Sequence, residues 1–133
     1  MFGANTKVLI VDDMSTMRKL VKRSVGLLGM TQHEEAADGQ IAWTLLNEKK
    51  DFGLIISDWN MPNCTGLDFL KRVRADSQFK NLPFILLTAE GEAEQVKEAI
   101  LVGVDSYVLK PFTHEALTTK LEQAYKKRIT GAK

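Results

Sequence analysis

One cysteine, Cys64, stands in a chain of 133 residues. An intrachain disulfide is therefore excluded, and a thiolate zinc cluster is disfavoured. A reducing, cytoplasmic setting suits such a chain. No apolar stretch approaches the roughly 20 residues needed to span a bilayer. The first residues, Met1 to Lys7, lack the basic segment and long apolar run of a secretory signal. Charge of one sign is also missing: 18 basic and 17 acidic residues leave a formal net charge of +1. Neither nucleic acid nor an anionic membrane is expected as the main partner. The basic cluster Lys126-Lys127-Arg128 reads as a solvated helix end facing the helix dipole. Linkers, low-complexity tracts and sequence repeats are absent as well. What is present is an ordinary globular composition, 44% hydrophobic and 26% charged. The length suits one domain and buries enough surface to fold without cross-links.

Five short runs read as strands: Val8-Leu9-Ile10-Val11, a weak one near His33 to Ala37, Leu54-Ile55-Ile56, Phe84-Ile85-Leu86-Leu87, and Tyr107-Val108-Leu109. Four of them are continuously apolar, which suits a parallel sheet covered on both faces. The second is required mainly by the architecture. Between the runs lie apolar residues at helical spacing. Met17, Leu20, Val21, Val25 and Leu28 form one stripe, with Gly29 placed to end it. Ala42, Leu45 and Leu46 follow the turn signal Asp38-Gly39. Leu67, Leu70 and Val73 stand behind Gly66, and Val96, Ala99 and Ile100 stand before Gly103. Leu117, Leu121, Ala124 and Tyr125 mark a fifth helix, for which Thr113 is the expected N-cap. These stripes read as core. A β-α unit repeated five times with right-handed crossovers predicts an open, doubly wound α/β sheet. Such sheets bind ligands outside the carboxyl ends of their strands.

Polar residues cluster at those ends. Asp12 and Asp13 follow the first run, Ser57 and Asp58 the third, Thr88 the fourth, and Lys110 and Pro111 the fifth. One sheet edge therefore receives three carboxylates, a hydroxyl and an ammonium. Carboxylates gathered without a partner repel and resist ionisation. A hard divalent cation such as Mg²⁺ resolves this, because it takes oxygen ligands and commonly combines carboxylates with phosphate oxygens. Lys110 can pair with a carboxylate or a phosphoryl group, and Thr88 can donate to a phosphoryl oxygen. Phosphoryl transfer needs mainly positioning and charge neutralisation, and a carboxylate can itself be the nucleophile. Asp12 or Thr88 alone would read better as a helix or turn cap. Capping does not explain an acidic pair on one strand with a lysine on another.

Four motifs in order, Val11-Asp12-Asp13, Ser57-Asp58-Trp59-Asn60-Met61-Pro62-Asn63, Thr88-Ala89-Glu90 and Lys110-Pro111-Phe112, resemble the receiver domains of bacterial two-component systems. Within that family the chain is similar to the chemotaxis regulators, including at Ser15-Thr16-Met17-Arg18. The resemblance runs from about Lys7 to Lys127 and implies a flavodoxin-like fold with strand order 2-1-3-4-5, an order that the handed pattern alone leaves open. It implies Asp58 as phosphoacceptor, with Mg²⁺ bound directly by Asp13 and Asp58, through water by Asp12, and by the backbone carbonyl of Asn60. Lys110 would hold the phosphoryl group, and its bond to Pro111 is expected to be cis. Thr88 and Tyr107 would form the switch pair, with an output face around Tyr107 and Lys120. Asn60 and Glu90 would tune the lifetime of the phosphate.

The resemblance further implies a histidine kinase as donor, a protein target such as the flagellar motor switch, and an auxiliary phosphatase. A cytoplasmic monomer is expected, one receiver domain over residues 1–133 without an output domain and without enzymatic turnover beyond its own phosphotransfer and dephosphorylation. Two other functions stay open: a phosphate sink or relay without motor output, and an aspartyl-nucleophile phosphatase. The sink reading is motivated by Gly91-Glu92-Ala93-Glu94, acidic where chemotaxis regulators are basic. Without the resemblance, Tyr107 reads as a half-buried aromatic on an edge strand. Cys64 reads as a small packing residue, Trp59 as packing at the rim of the site and a natural fluorophore, and His33 and His114 as surface residues.

Overall fold

The computed structural model describes residues 2–89 and 93–130. Its elements alternate as expected: β1 (Lys7–Val11), α1 (Ser15–Leu27), β2 (Gln32–Ala36), α2 (Gly39–Lys49), β3 (Leu54–Asp58), α3 (Gly66–Ala75), β4 (Phe84–Ala89), α4 (Ala93–Val102), β5 (Ser106–Lys110) and α5 (His114–Thr130). The five strands form one parallel sheet in the order β2-β1-β3-β4-β5.

The continuous apolar runs serve two cores. Leu9, Val11, Ile55, Phe84 and Leu86 point to the face covered by Ala42, Leu46, Phe69, Leu70, Val73 and Ala99 of α2, α3 and α4. Their neighbours Val8, Ile10, Leu54, Ile56, Ile85, Leu87 and Val108 point to the face covered by Val21 and Val25 of α1 and Leu117 and Leu121 of α5. Alternation along a strand thus meets an apolar layer on both sides. β2 departs from this because it is an edge strand. Its polar residues are engaged laterally, Glu34 with Lys7 and Lys49, and Glu35 with Arg18 and Lys22. Thr113 caps α5 as expected, accepting from the Ala116 N–H at 3.0 Å, and Asp38 and Thr65 cap α2 and α3.

Two expectations need correction. Leu20 and Ile100, assigned to core stripes, are 54% exposed, because each lies at the solvent margin of its helix. His114 is exposed, as expected of a surface residue, and its Nδ1 lies 2.6 Å from the hydroxyl of the buried Ser24 in α1. The basic end of α5 is not merely solvated. Lys127 donates to the Val104 carbonyl at 3.1 Å, and Arg128 Nε donates to Asp105 Oδ1 at 2.6 Å.

Asp105 has a fully buried carboxylate at the amino end of the sheet. It also accepts from Arg74 at 3.0 Å and from the Phe84 N–H at 2.8 Å. Burial draws the Arg74 guanidinium down to about 10, with Asp105 opposing and Arg128 adding to the shift, so it stays charged at neutral pH. One carboxylate thereby ties α3, β4, β5 and α5 together. Asp105→Ala takes the carboxylate away from two guanidiniums and a backbone N–H, and leaves Arg74 and Arg128 the neutral carbonyl of Gly103 in its place. Urea denaturation should show a loss of about 3–5 kcal/mol. A midpoint equal to that of the parent would show that the network is not structural.

Candidate functional site

Because the strands are parallel, their carboxyl ends share one edge, and the polar residues that follow them converge. Asp12 is fully buried and Asp58, the last residue of β3, is 6% exposed, while Asp13 faces solvent. One carboxylate oxygen from each of the three lies within 4.8 Å of the others. Lys110, the last residue of β5, reaches back over the sheet. Its Nζ donates to Asp58 Oδ1 at 2.7 Å and to Asp12 Oδ2 at 3.1 Å. The bond between Lys110 and Pro111 is cis, as the resemblance implied.

The β1–α1 turn is held in detail. Asp12 Oδ1 accepts from the Met14 N–H at 2.9 Å, and its carbonyl accepts from Arg18 at 2.6 Å. Arg18 is itself oriented by Glu35 at 3.0 Å. The β3–α3 turn is equally tight. A Cβ at Gly66 would collide with the Asp58 carbonyl oxygen and stand 3.0 Å from Leu86 Cδ2, so only glycine lets α3 start there. The Gly66 N–H donates to Trp59 O at 2.8 Å. Trp59 is buried beside Asp58, and Cys64 is buried in the core, so both behave as the packing residues expected. Burial pushes the Cys64 thiol up, away from thiolate chemistry.

Charge in this pocket does not balance. Burial raises the Asp58 carboxyl above the usual carboxylate range; Lys110 opposes the shift and Asp12 adds to it. For Lys110, burial works against the ammonium, but Asp58 and Asp12 outweigh it and hold the group above its ordinary value. One ammonium thus serves two buried carboxylates, with a third at the rim. The surplus is negative, all donors are oxygens, and Asp13 leaves an open side for water. A hard divalent cation fits that donor set.

Thr88 is buried near the end of β4, and its hydroxyl lies 3.4 Å from the Ala89 carbonyl oxygen. Tyr107 pairs in register with Leu86, so Tyr107 and Thr88 share one face of adjacent strands. The Tyr107 ring is half-buried with Lys120 Nζ 5.0 Å from its centroid. Asn60 is exposed two residues beyond Asp58. Glu90, Gly91 and Glu92 lie outside the described residues. Sequence reasoning missed Glu35, and it read Asp38 only as a turn and Asn63 only as part of a motif.

A doubly wound sheet with an acidic edge and a lysine bridge defines a receiver. In agreement, residues 8–122 match the response regulator receiver domain family. The chain belongs to that family. It is 46% identical over 123 residues to chemotaxis protein CheY-3 of Vibrio cholerae, covering 92% of this chain and 94% of that protein. It is 45% identical over 125 residues to chemotaxis protein CheY of Pseudomonas aeruginosa, covering 94% and 99%. Among solved structures it resembles the chemotaxis response regulator CheY4 of Vibrio cholerae, with a TM-score of 0.80 and 39% identity over 90% of this chain and 98% of that one.

The raised Asp58 carboxyl has a consequence for stability. A carboxyl raised in the folded state favours folding below its unfolded pKa, and that contribution is lost as pH rises through the folded value. At neutral pH the ionised Asp58 therefore destabilises the fold. Asp58→Asn should melt higher than the parent at pH 7 in the absence of divalent cations, and Lys110 keeps Asp12 as a partner. The gap should close only on acidification to about pH 3, below the ordinary Asp pKa of about 3.9, where the parent carboxyl is protonated in both the folded and the unfolded chain. A variant that melts lower at pH 7 would contradict the surplus of negative charge.

Proposed function

We propose that this chain is a phosphorylation-activated switch of the chemotaxis type, a single receiver domain over residues 1–133 acting in the cytoplasm. The observation that carries the reading is the contact between Lys110 and Asp58 at 2.7 Å inside an otherwise acidic, oxygen-lined pocket. Asp58 is the phosphoacceptor. One of its oxygens attacks the phosphorus of a phosphohistidine on a histidine kinase. The P–O bond forms as the P–N bond breaks, and the imidazole nitrogen keeps the electron pair and takes up a proton.

Asp13 and Asp58 would hold Mg²⁺ directly, Asp12 through water, and Asn60 through its carbonyl. When bound, Mg²⁺ neutralises charge on the carboxylate and phosphoryl oxygens. Lys110 turns from the carboxylates toward the phosphoryl group as it arrives. Thr88 donates to a phosphoryl oxygen, and Tyr107 moves inward on the face that Thr88 shares.

The output surface is the β5–α5 groove of about 400 Å³, lined by Tyr107, Leu109, Phe112, Ala116 and Lys120. Its target is a protein such as the flagellar motor switch, with a phosphatase as a further partner. The relatives are named for chemotaxis, which supports this output over that of a phosphate sink. A hydrolytic phosphatase fits less well, because the other acids of the pocket stand with Lys110 and the metal ligands, not at a leaving group. Among the described residues no helix is long and apolar enough to cross a membrane.

Incubation with a small-molecule phosphodonor and Mg²⁺ should add a single phosphoryl mass to the intact chain. The adduct should be absent without Mg²⁺ and absent in Asp58→Asn. An adduct that survives Asp58→Asn would move the acceptor elsewhere. Output is tested separately: the phosphorylated chain should bind a motor switch protein more tightly than the unmodified one. Equal affinity would favour the sink.

A further inference from the structure

The loop between β3 and α3 carries Asn60, and its far side is fastened to a different part of the chain. Asn63 lies at φ 67°, in the left-handed region. Its Nδ2 donates to Asp38 Oδ2 at 2.9 Å. The other oxygen of Asp38 accepts from the Ile41 N–H at 2.8 Å, which caps α2. Asp38 is buried. The Ile41 N–H, followed by the Asn63 amide, holds its carboxyl below the usual range, so it is an ionised and strong acceptor. Beside it the Gly39 N–H donates to the Cys64 carbonyl at 3.3 Å, and a Cβ at Gly39 would stand 2.7 Å from Cys64 Sγ. The β3–α3 loop is thereby seated directly on the start of α2.

Glycine would satisfy the backbone at position 63 more easily than asparagine does. What asparagine adds is an amide, and that amide is spent on Asp38. Neither side chain takes part in the chemistry proposed above. Mg²⁺ demands near-ideal octahedral geometry, so a carbonyl supplied by a loop serves only if the loop is held. Resting on that reading of the pocket, we infer that the Asn63–Asp38 hydrogen bond is a positioning contact for metal binding. It fixes the loop that presents the Asn60 carbonyl relative to Asp13 and Asp58.

The test separates position from stability. Asn63→Gly keeps the left-handed backbone and removes the amide. Mg²⁺ is titrated against the emission of Trp59, in a Trp43→Phe background that isolates it, and melting is followed without metal. The midpoint for Mg²⁺ should rise about tenfold, the scale seen when groups that orient metal ligands are removed. Adduct formation at saturating Mg²⁺ should return to the parent level. The exchanged pair, Asp38→Asn with Asn63→Asp, lets the amide at 38 donate to a carboxylate at 63 while its oxygen still caps α2. That pair should restore the midpoint. An unchanged midpoint in Asn63→Gly, even with a lower melting temperature, overturns the inference, as does a raised midpoint that the exchange leaves raised. A parent that shows no response to Mg²⁺ removes the metal reading itself and this inference with it.

Discussion

Lys110 is shared between two buried carboxylates, and the geometry of the whole sheet serves that sharing. Asp12 and Lys110 are 98 residues apart in sequence, yet their side chains meet at 3.1 Å. Only a parallel sheet with β1, β3 and β5 ending on one edge brings them together. Removing charged groups from water costs several kcal/mol each, so two buried carboxylates side by side call for a counter-charge. One ammonium lessens that cost without cancelling it, which leaves a pocket that is stable enough to form and still short of positive charge. The rise at Asp58 and the rise at Lys110 are two sides of this same shortage.

The opposite end of the sheet shows the reverse stoichiometry. There one buried carboxylate, Asp105, meets two guanidiniums and a backbone N–H. Every oxygen has a donor, and the elements around it are locked together. The same sheet thus carries a charge-satisfied cluster where β4 and β5 begin and an unsatisfied one where they end. A satisfied network rigidifies; an unsatisfied one responds to whatever cation or phosphoryl group arrives. Placing the two at opposite ends lets the second change state while the strands that connect them keep their register.

This division explains what could be read from sequence. β1, β3 and β4 announced themselves as apolar runs because each is covered on both faces, and β5 did so although it is the other edge and its Leu109 is 47% exposed. β2 did not, since its residues hold lateral ion pairs at an edge, and such pairs leave no periodic signal. The acids and the lysine of the site were visible because the strand-end rule converts sequence order into spatial proximity. Arg128 was misread, since nothing in the sequence indicates that Asp105 is buried opposite it. Asp38 and Asn63 carried only the ambiguous signature of turn formers, and the same residue types would stand there whether or not their side chains met. The cis bond at Pro111 came from resemblance, as the local sequence does not choose between isomers.

On the proposed reading, switching follows from the shortage of positive charge. An arriving phosphoryl group brings a charge of about −1.5 to −2 at neutral pH. Lys110 cannot hold Asp12, Asp58 and phosphoryl oxygens at their present distances together. Its contacts must be redistributed, and the arrangement that suits the phosphorylated pocket differs from the one that suits the free pocket. That difference is the only energy available to bias a distant surface. β5 is the shortest route for it: Lys110 ends the strand, and Tyr107 lies three residues earlier on it, with its ring against Lys120 of α5. A movement of the lysine backbone toward or away from the pocket acts on the strand that carries the aromatic ring. The lysine that makes the buried acids tolerable is therefore also placed to report their change of charge.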